Sequence, residues 1–366
     1  MRVGFNLLHL VPGETGGSEI YARRLITALL ELDAQVQPTL FVAREAAGAG
    51  WPASAEAVAL PVSGRSRVAR VLAEQALLPR AVGRARVDLL HNLFTTAPAL
   101  PGVPQVTTIL DVIYKRFPET HVGMLARGMN VLVPLAAKRS RRVLTLSEAA
   151  KDDIVRFLGV APERVDVTYL GPGMPEHVEP VPEEELRREF ELGDRPLVLT
   201  VSAKRPHKNL ERLLDAFARV SAEPEPVLLI TGYPTPFESE LRRRAGERVH
   251  FAEWVDDATL EGLYRIAACL AFPSLAEGFG LPVLEAMRRG LPVACSSATS
   301  LPEIAGNAAL YFDPVDTAAI AAALERILGD GQLRDRLSAA GREQAASFTW
   351  TATAHATLAS YERALR

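Results

Sequence analysis

Two carboxylates frame the run Glu277-Gly-Phe-Gly-Leu-Pro-Val-Leu-Glu285. Pro282 suits the first position of a helix, because it gives up no needed donor there. The spacing therefore puts Glu277 in a loop and Glu285 about one turn into the helix that follows. Phe279-Gly-Leu281 would then aim backbone N–H groups at an anion such as a diphosphate. Glu285 can accept from a ribose diol and Glu277 from sugar hydroxyls. A second cluster, Ser202-Ala-Lys-Arg-Pro-His-Lys-Asn209, concentrates Lys204, Arg205, His207 and Lys208 ahead of another helix, where the dipole already favours anions. A third, Gly13-Glu-Thr-Gly-Gly-Ser-Glu19, follows the first apolar run. Gly16 and Gly17 allow close approach of a phosphate or sugar and Ser18 could cap a helix, although a plain tight turn has the same composition.

Such residues need elements to hold them. Short apolar runs alternate with longer amphipathic segments, the pattern of βαβ units and a parallel sheet. The first half predicts strands at 3–8, 39–43, 88–92, 106–110, 143–146 and 165–169, with helices such as 18–32 and 147–158. Residues 171–182 are too rich in Gly and Pro for either element and predict a linker. A second α/β unit follows, with strands at 197–202, 227–231, 249–252, 269–273, 292–296 and 309–312 and helices near 210–222, 258–267 and 282–289. Beyond Asp316 the pattern is helical, broken near Gly329-Asp-Gly331 and Ser347-Phe-Thr-Trp350, and Trp350, Leu358 and Tyr361 would suit packing back on the first domain. The expected division is 1–170, linker 171–182, 183–345, and a returning C-terminal helix at 346–366. All three clusters then lie just past predicted strands, where doubly wound sheets bind ligands.

The chain has 366 residues, more than one core usually accommodates, with 48% hydrophobic and 23% charged residues. A net charge of −3 argues against nucleic acid as the main partner. Cys269 and Cys295 sit inside apolar runs and read as inert core thiols, which fits a reducing cytoplasm. The N-terminal apolar stretch is too short for a signal peptide and reads as a first strand, and no apolar run is long enough to span a bilayer. The scarcity of Lys beside Arg, with abundant Ala, suggests a high-GC bacterial genome. Residues 125–135 are largely apolar and are followed by Lys138, Arg139, Arg141 and Arg142; this fits either a weak peripheral membrane contact or a core-packed helix with cations at its C-terminal end.

The run 274–285, continued by Gly290-Leu-Pro-Val-Ala and Ser300-Leu-Pro-Glu-Ile-Ala-Gly-Asn-Ala-Ala-Leu-Tyr-Phe-Asp-Pro, resembles glycosyltransferase family 4. Supporting stretches are Gly16–Glu19, Thr145-Leu-Ser-Glu, Pro206–Asn209 and Val255-Asp-Asp257 before a helix containing Tyr264. The resemblance covers nearly the full chain. It implies the GT-B architecture: two Rossmann-like doubly wound domains facing across a cleft, with C-terminal helices packing on the first. It also implies a retaining enzyme that moves a hexosyl or N-acetylhexosaminyl group from a UDP-, GDP- or dTDP-sugar to a hydroxyl of a saccharide, an aminocyclitol-type natural product or a lipid-linked sugar.

By that resemblance Lys208 and a basic neighbour, Lys204 or Arg205, hold the diphosphate, and Glu285 holds the ribose. Glu277 with Gly278, Phe279, Gly280 and Leu281 surrounds the transferred sugar, and Gly16, Gly17 and Val255 add donor contacts. Glu277, Lys208 and Asp111 are the expected catalytic residues, with His91 and Asp111 as acceptor-side candidates. Relatives are described as using front-face displacement, in which the leaving diphosphate helps take the acceptor proton. No Asp-x-Asp triplet occurs, and His9, His91, His121, His177, His207, His250 and His355 show no metal-ligand spacing, so neither a metal nor another cofactor is expected. Two departures stand out. Leu110-Asp111 replaces the usual His-Asp, for which His91 could substitute or be a plain strand-end residue, and the Arg common just after the strand is absent at Ser202 and Ala203. Leu110 favours an alternative, a catalytically silent GT-B protein that binds sugar nucleotides; retention of Glu277 and Glu285 favours the enzyme.

Overall fold

Aliphatic runs bounded by Gly, Pro or Asn become strands buried on both faces, as a parallel sheet covered by helices requires. A computed structural model describes residues 1–32, 36–118, 123–175 and 177–366, with the backbone alone for 123–127. His121 and Glu176 therefore lie outside the described residues. The strands are β1 (Arg2–Leu7), β2 (Gln37–Val42), β3 (Glu56–Ala59), β4 (Leu89–Asn92), β5 (Gln105–Thr108), β6 (Arg142–Thr145) and β7 (Val165–Val167), then β8 (Leu197–Val201), β9 (Val227–Thr231), β10 (Val249–Ala252), β11 (Cys269–Phe272), β12 (Val293–Ser296) and β13 (Ala309–Phe312).

They form two parallel sheets, ordered β3-β2-β1-β4-β5-β6-β7 and β10-β9-β8-β11-β12-β13. In each, the winding direction reverses once, between β1 and β4 and between β8 and β11. A doubly wound sheet opens a crevice beyond the carboxyl ends of its strands at that reversal. The register there is direct: Cys269 lies beside Val198 and Leu270 beside Leu199.

The chain divides into two compact units, Met1–Gly173 with Thr349–Arg366, and Met174–Phe348. The exchange is sharper than a linker at 171–182 suggests. Trp350 donates its indole N–H to Pro172 O at 2.7 Å within the first unit. Met174, 6% exposed, and Val181 are already bound into the second, through Glu285 and Ala258 O.

Apolar clusters among the described residues of the first unit include one around Phe41, Leu78 and Val82 and another around Ile109, Val133, Val143 and Ile154. The helix Gly17–Glu31 buries Tyr21, Ala22, Leu25, Ile26 and Leu29, an apolar stripe at helical spacing. The helix Trp350–Leu365 returns to this unit with Thr353, Ala354, Thr357, Ser360, Tyr361 and Ala364 buried. Its attachment is largely polar: Thr353 Oγ1 donates to Tyr169 O at 2.6 Å and Ser360 Oγ to Asp166 Oδ2 at 2.7 Å. Leu358 is only partly buried. The second unit's core joins Leu213, Phe217, Ile230, Leu324 and Ile327.

The helix Gly123–Arg139 buries Val133, Ala136 and Ala137 and leaves Val131 65% exposed. Two of the cations after it serve the fold, Arg141 donating to Ala364 O and Arg142 pairing with Asp166. Among the described residues no helix is long and apolar enough to cross a membrane.

Candidate active site

The loop that leaves β8 ends in a 3-10 turn, Pro206–Lys208, and then Asn209 in the left-handed region at φ 59°. Asparagine tolerates that conformation better than most residues. Its buried amide donates to Pro273 O at 3.0 Å and Pro314 O at 2.7 Å, tying the loop after β8 to the end of β11. Leu275 N donates to His207 O at 2.8 Å and completes the seam. The two loops at the reversal point are thereby held together, and Lys208 Nζ meets Glu277 Oε1 at 2.6 Å. The side chains are 18% and 11% exposed, so the pair is largely but not wholly removed from water.

After Glu277 the chain turns into the helix Leu281–Arg288. Gly280 caps it at φ 110°, a backbone conformation that favours glycine, and a Cβ there would press on the Leu301 side chain, 2.7 Å from Cδ2. Ser300 Oγ donates to Phe279 O at 2.7 Å and Glu277 N donates to Thr299 Oγ1 at 3.0 Å, which braces the loop. The N–H groups of Phe279, Gly280 and Leu281 have no acceptor among the described residues, as expected at a helix start, and make a place for an anion.

Glu285 is 4% exposed and its oxygens are engaged. Met174 N donates to Oε1 at 2.8 Å, and Arg289 Nη1 reaches Oε2 at 2.5 Å. Arg289 also pairs with Glu261 at 2.6 Å and lies over the Tyr264 ring. Burial draws the Arg289 guanidinium down, but Glu285 and Glu261 outweigh it and raise it above its ordinary value.

The basic cluster separates into distinct roles. Lys204, one of the two candidates for a phosphate ligand beside Lys208, is 0% exposed and donates to Gly232 O and Ala252 O, each at 2.6 Å, with Glu238 at 3.7 Å. Burial pulls its ammonium below the usual lysine range. It joins the ends of β9 and β10 instead of facing a ligand, because the loop turns its side chain toward the carbonyls there. Arg205 is exposed and makes no ion pair among the described residues. Val255 is half-buried between β10 and the helix Asp257–Ile266.

In the first unit Gly16 caps the helix that begins at Gly17. Gly13 N donates to Glu19 Oε2 at 2.8 Å, folding this loop on itself. Asp111 follows β5 and accepts from Ile113 N at 3.0 Å. His91 corrects the expectation of an acceptor-side imidazole. It is 0% exposed, with Nδ1 2.7 Å from the Tyr361 hydroxyl and Nε2 2.8 Å from Thr108 Oγ1, and burial pushes its pKa down to about 3. Both nitrogens are committed to the core, so it cannot replace an imidazole at position 110. Among the described residues no group of three or more His, Cys, Asp or Glu side chains could hold a metal ion.

Residues 182–344 match the family described as Glycosyl transferases group 1, and residues 15–171 match Glycosyltransferase Family 4. The chain is 31% identical over 271 residues to the O-antigen chain mannosyltransferase B of Escherichia coli, covering 70% of each protein. It belongs to glycosyltransferase family 4. Among solved structures, this glycosyltransferase resembles sucrose-phosphate synthase from Thermosynechococcus elongatus, with a TM-score of 0.77, 22% identity and coverage of 99% and 98% of the two chains. It also resembles Anabaena Alr3699/HepE in complex with UDP and glucose, with a TM-score of 0.74, 18% identity and 99% coverage of both. The two parallel sheets are those of the GT-B fold.

Several residues that shape this glycosyltransferase's site escape a reading of the sequence. Asn209 stands there only as part of a motif, yet it anchors the Lys208 loop. Ser274, the second residue past β11, is 1% exposed and its hydroxyl has no hydrogen-bond partner among the described residues. Its place three residues ahead of Glu277 is the available signal. Tyr233 and Trp254 stack on each other from two different loops, and nothing in their local sequence announces it.

Proposed function

We propose that this glycosyltransferase takes a sugar from a nucleoside-diphosphate sugar and passes it to a hydroxyl acceptor with retention of configuration and without a divalent metal. The observation that carries the reading is the Lys208–Glu277 pair at 2.6 Å beside the open N–H groups of the helix Leu281–Arg288, at the reversal point of the second sheet. Lys208, Arg205 and those N–H groups bind the diphosphate. Glu277 accepts from hydroxyls of the sugar, and Glu285, held still by Arg289 and Met174 N, faces the ribose. The transferred sugar is a hexose, and the similarity to a mannosyltransferase favours mannose. The UDP complex of a protein of the same fold supports a nucleotide donor.

In the step itself the bond from the anomeric carbon to the diphosphate oxygen breaks as the acceptor oxygen bonds to the same face. The acceptor proton passes to the departing diphosphate. Negative charge grows on that leaving group, so cations and fixed N–H groups stabilise the transition state more than the ground state. Gly16, Gly17 and Asp111 are proposed as the first unit's own ligand-contacting residues.

The test is a panel of UDP-, GDP- and dTDP-sugars incubated with the protein, with and without EDTA, reading nucleotide binding and donor consumption. One donor consumed equally in both conditions is the expected result. Loss of turnover in EDTA overturns metal independence. Nucleotide binding without consumption of any donor, with any acceptor, would establish the second reading, a silent sugar-nucleotide binder, which Leu110 in place of the usual histidine favours.

A further inference from the structure

Glu285 shares Arg289 with a second buried carboxylate, Glu261, that takes no part in the chemistry proposed above. Glu261 belongs to the helix Asp257–Ile266 and is 7% exposed. A charge removed from water to that extent needs partners. Arg265 Nε donates to its Oε1 at 2.8 Å, and Arg289 Nε and Nη2 both reach its Oε2 at 2.6 Å. Burial draws the Glu261 carboxyl up, but Arg289 and Arg265 outweigh it and hold it below its ordinary value. The helix that carries it is fixed in place. A Cβ on Gly262 would lie 2.7 Å from Val181 O, and Val181 N donates to Ala258 O at 3.1 Å, so helix and backbone meet directly.

A guanidinium has five N–H donors in a fixed fork, and those of Arg289 are all placed. Nε and Nη2 go to Glu261, and Nη2 also approaches Met174 Sδ at 3.2 Å. Nη1 donates to Glu285 O at 2.8 Å and to Glu285 Oε2 at 2.5 Å. The Tyr264 ring supports the group, 5.0 Å from Cζ. Arginine commonly meets a carboxylate with two parallel N–H bonds, one to each oxygen. Here Glu261 occupies the Nε–Nη2 edge, so only one N–H of Arg289 reaches the Glu285 carboxylate. One buried cation thus serves two carboxylates, and Glu285 is oriented without being neutralised.

We propose that Glu261 is a positioning residue for the ribose of the donor: it holds Arg289 to a single contact with the Glu285 carboxylate, which keeps the orientation and negative charge that accept from the 2′- and 3′-hydroxyls. The inference rests on the ribose role of Glu285 proposed above. Glu261 acts only through Arg289. Without its charge, the Nε–Nη2 edge turns to Glu285, spans both oxygens and competes with the diol for their lone pairs. The effect of Glu261 is therefore confined to ligands that carry the diol, and the diphosphate at Lys208 is spared.

The test measures UDP, GDP, their 2′,3′-dideoxy forms and inorganic pyrophosphate by calorimetry on the wild type, Glu261→Gln and Glu261→Asp. In the wild type each nucleotide is expected to bind roughly tenfold or more tightly than its dideoxy form, as hydrogen bonds to a charged group imply. Glu261→Gln should remove most of that ratio while the dideoxy forms and pyrophosphate bind as before. Glu261→Asp, which keeps the charge but shortens the reach, should lie between the two. An unchanged ratio in Glu261→Gln overturns the inference, as does a parallel loss for every ligand, which would mean general damage to the unit. Should Glu261→Gln fail to fold, the ratio in Glu261→Asp decides: a fall supports the inference and a wild-type value overturns it. A wild type that binds each nucleotide no better than its dideoxy form overturns the ribose role of Glu285 and this inference with it, whereas one that binds nucleotides no better than pyrophosphate overturns the donor reading itself.

Discussion

Lys208 and Glu277 sit on two loops that Asn209 and Leu275 hold together, so the charge at the reversal point depends on groups that never touch a ligand. Lys208→Ala should lower turnover roughly a hundredfold to a thousandfold, as loss of one oxyanion donor does, while thermal unfolding shifts little. Near-normal turnover would move the phosphate contact to Arg205. Asn209→Asp keeps the shape but turns a carboxylate toward Pro273 O and Pro314 O in place of two donors. It should destabilise the second unit by about 2–4 kcal/mol, measured by denaturant unfolding; a loss under about 0.5 kcal/mol would remove its anchoring role. Glu285→Ala strips Arg289 of one of its two carboxylates and Met174 N of its acceptor. Stability should fall by about 2–4 kcal/mol, and nucleotide affinity must fall beyond what the unfolded fraction explains if the ribose contact is real. Lys208 and Glu277 are legible in the sequence because each stands at a fixed distance from its own helix start. Lys204 and Arg205 are not separable there, since an irregular loop has no period to say which neighbour turns inward.

Among the elements, β4, β5 and the returning helix Trp350–Leu365 share one buried polar chain, from Tyr361 through His91 and Thr108 to Tyr21. The folded His91 titrates at about 3, below the unfolded value near 6.5, so the unfolded chain takes up a proton first as pH falls. Stability is therefore intact above about pH 6.5 and declines by about 1.4 kcal/mol per pH unit below it, until the folded pKa is reached. His91→Gln should flatten this acid limb by one proton, leaving what half-buried His9, whose pKa is also lowered, adds. An unchanged slope in urea unfolding between neutral and mildly acidic pH would show that His91 is not held neutral. None of this can be read locally, because the partners of His91 come from residues 108 and 361. The strands themselves are more legible: buried aliphatic runs announce them, and most predicted ranges lie within a residue or two of those found. The exception is β3, an edge strand with mostly exposed residues, whose Glu-Ala-Val-Ala sequence carries no apolar alternation.

At the scale of the whole molecule, the second unit is one continuous stretch while the first is assembled from two. Deletion of 349–366 should abolish the cooperative transition of the first unit, which loses Tyr361 and the stitches to Tyr169 and Asp166, and spare that of the second. Calorimetry checks this, and two retained transitions would contradict it. The doubling of the α/β pattern is visible in the sequence, but ownership of the final helix follows only from its contacts, since an amphipathic stripe does not name its partner. The same arrangement orders events during synthesis. Residues 174–348 leave the ribosome as a complete folding unit, whereas the sheet begun at residues 2–7 stays unfinished until the helix carrying Tyr361 emerges. For that interval its uncovered face is open to aggregation, and a chaperone that shields it would be released only after the helix Trp350–Leu365 has been made.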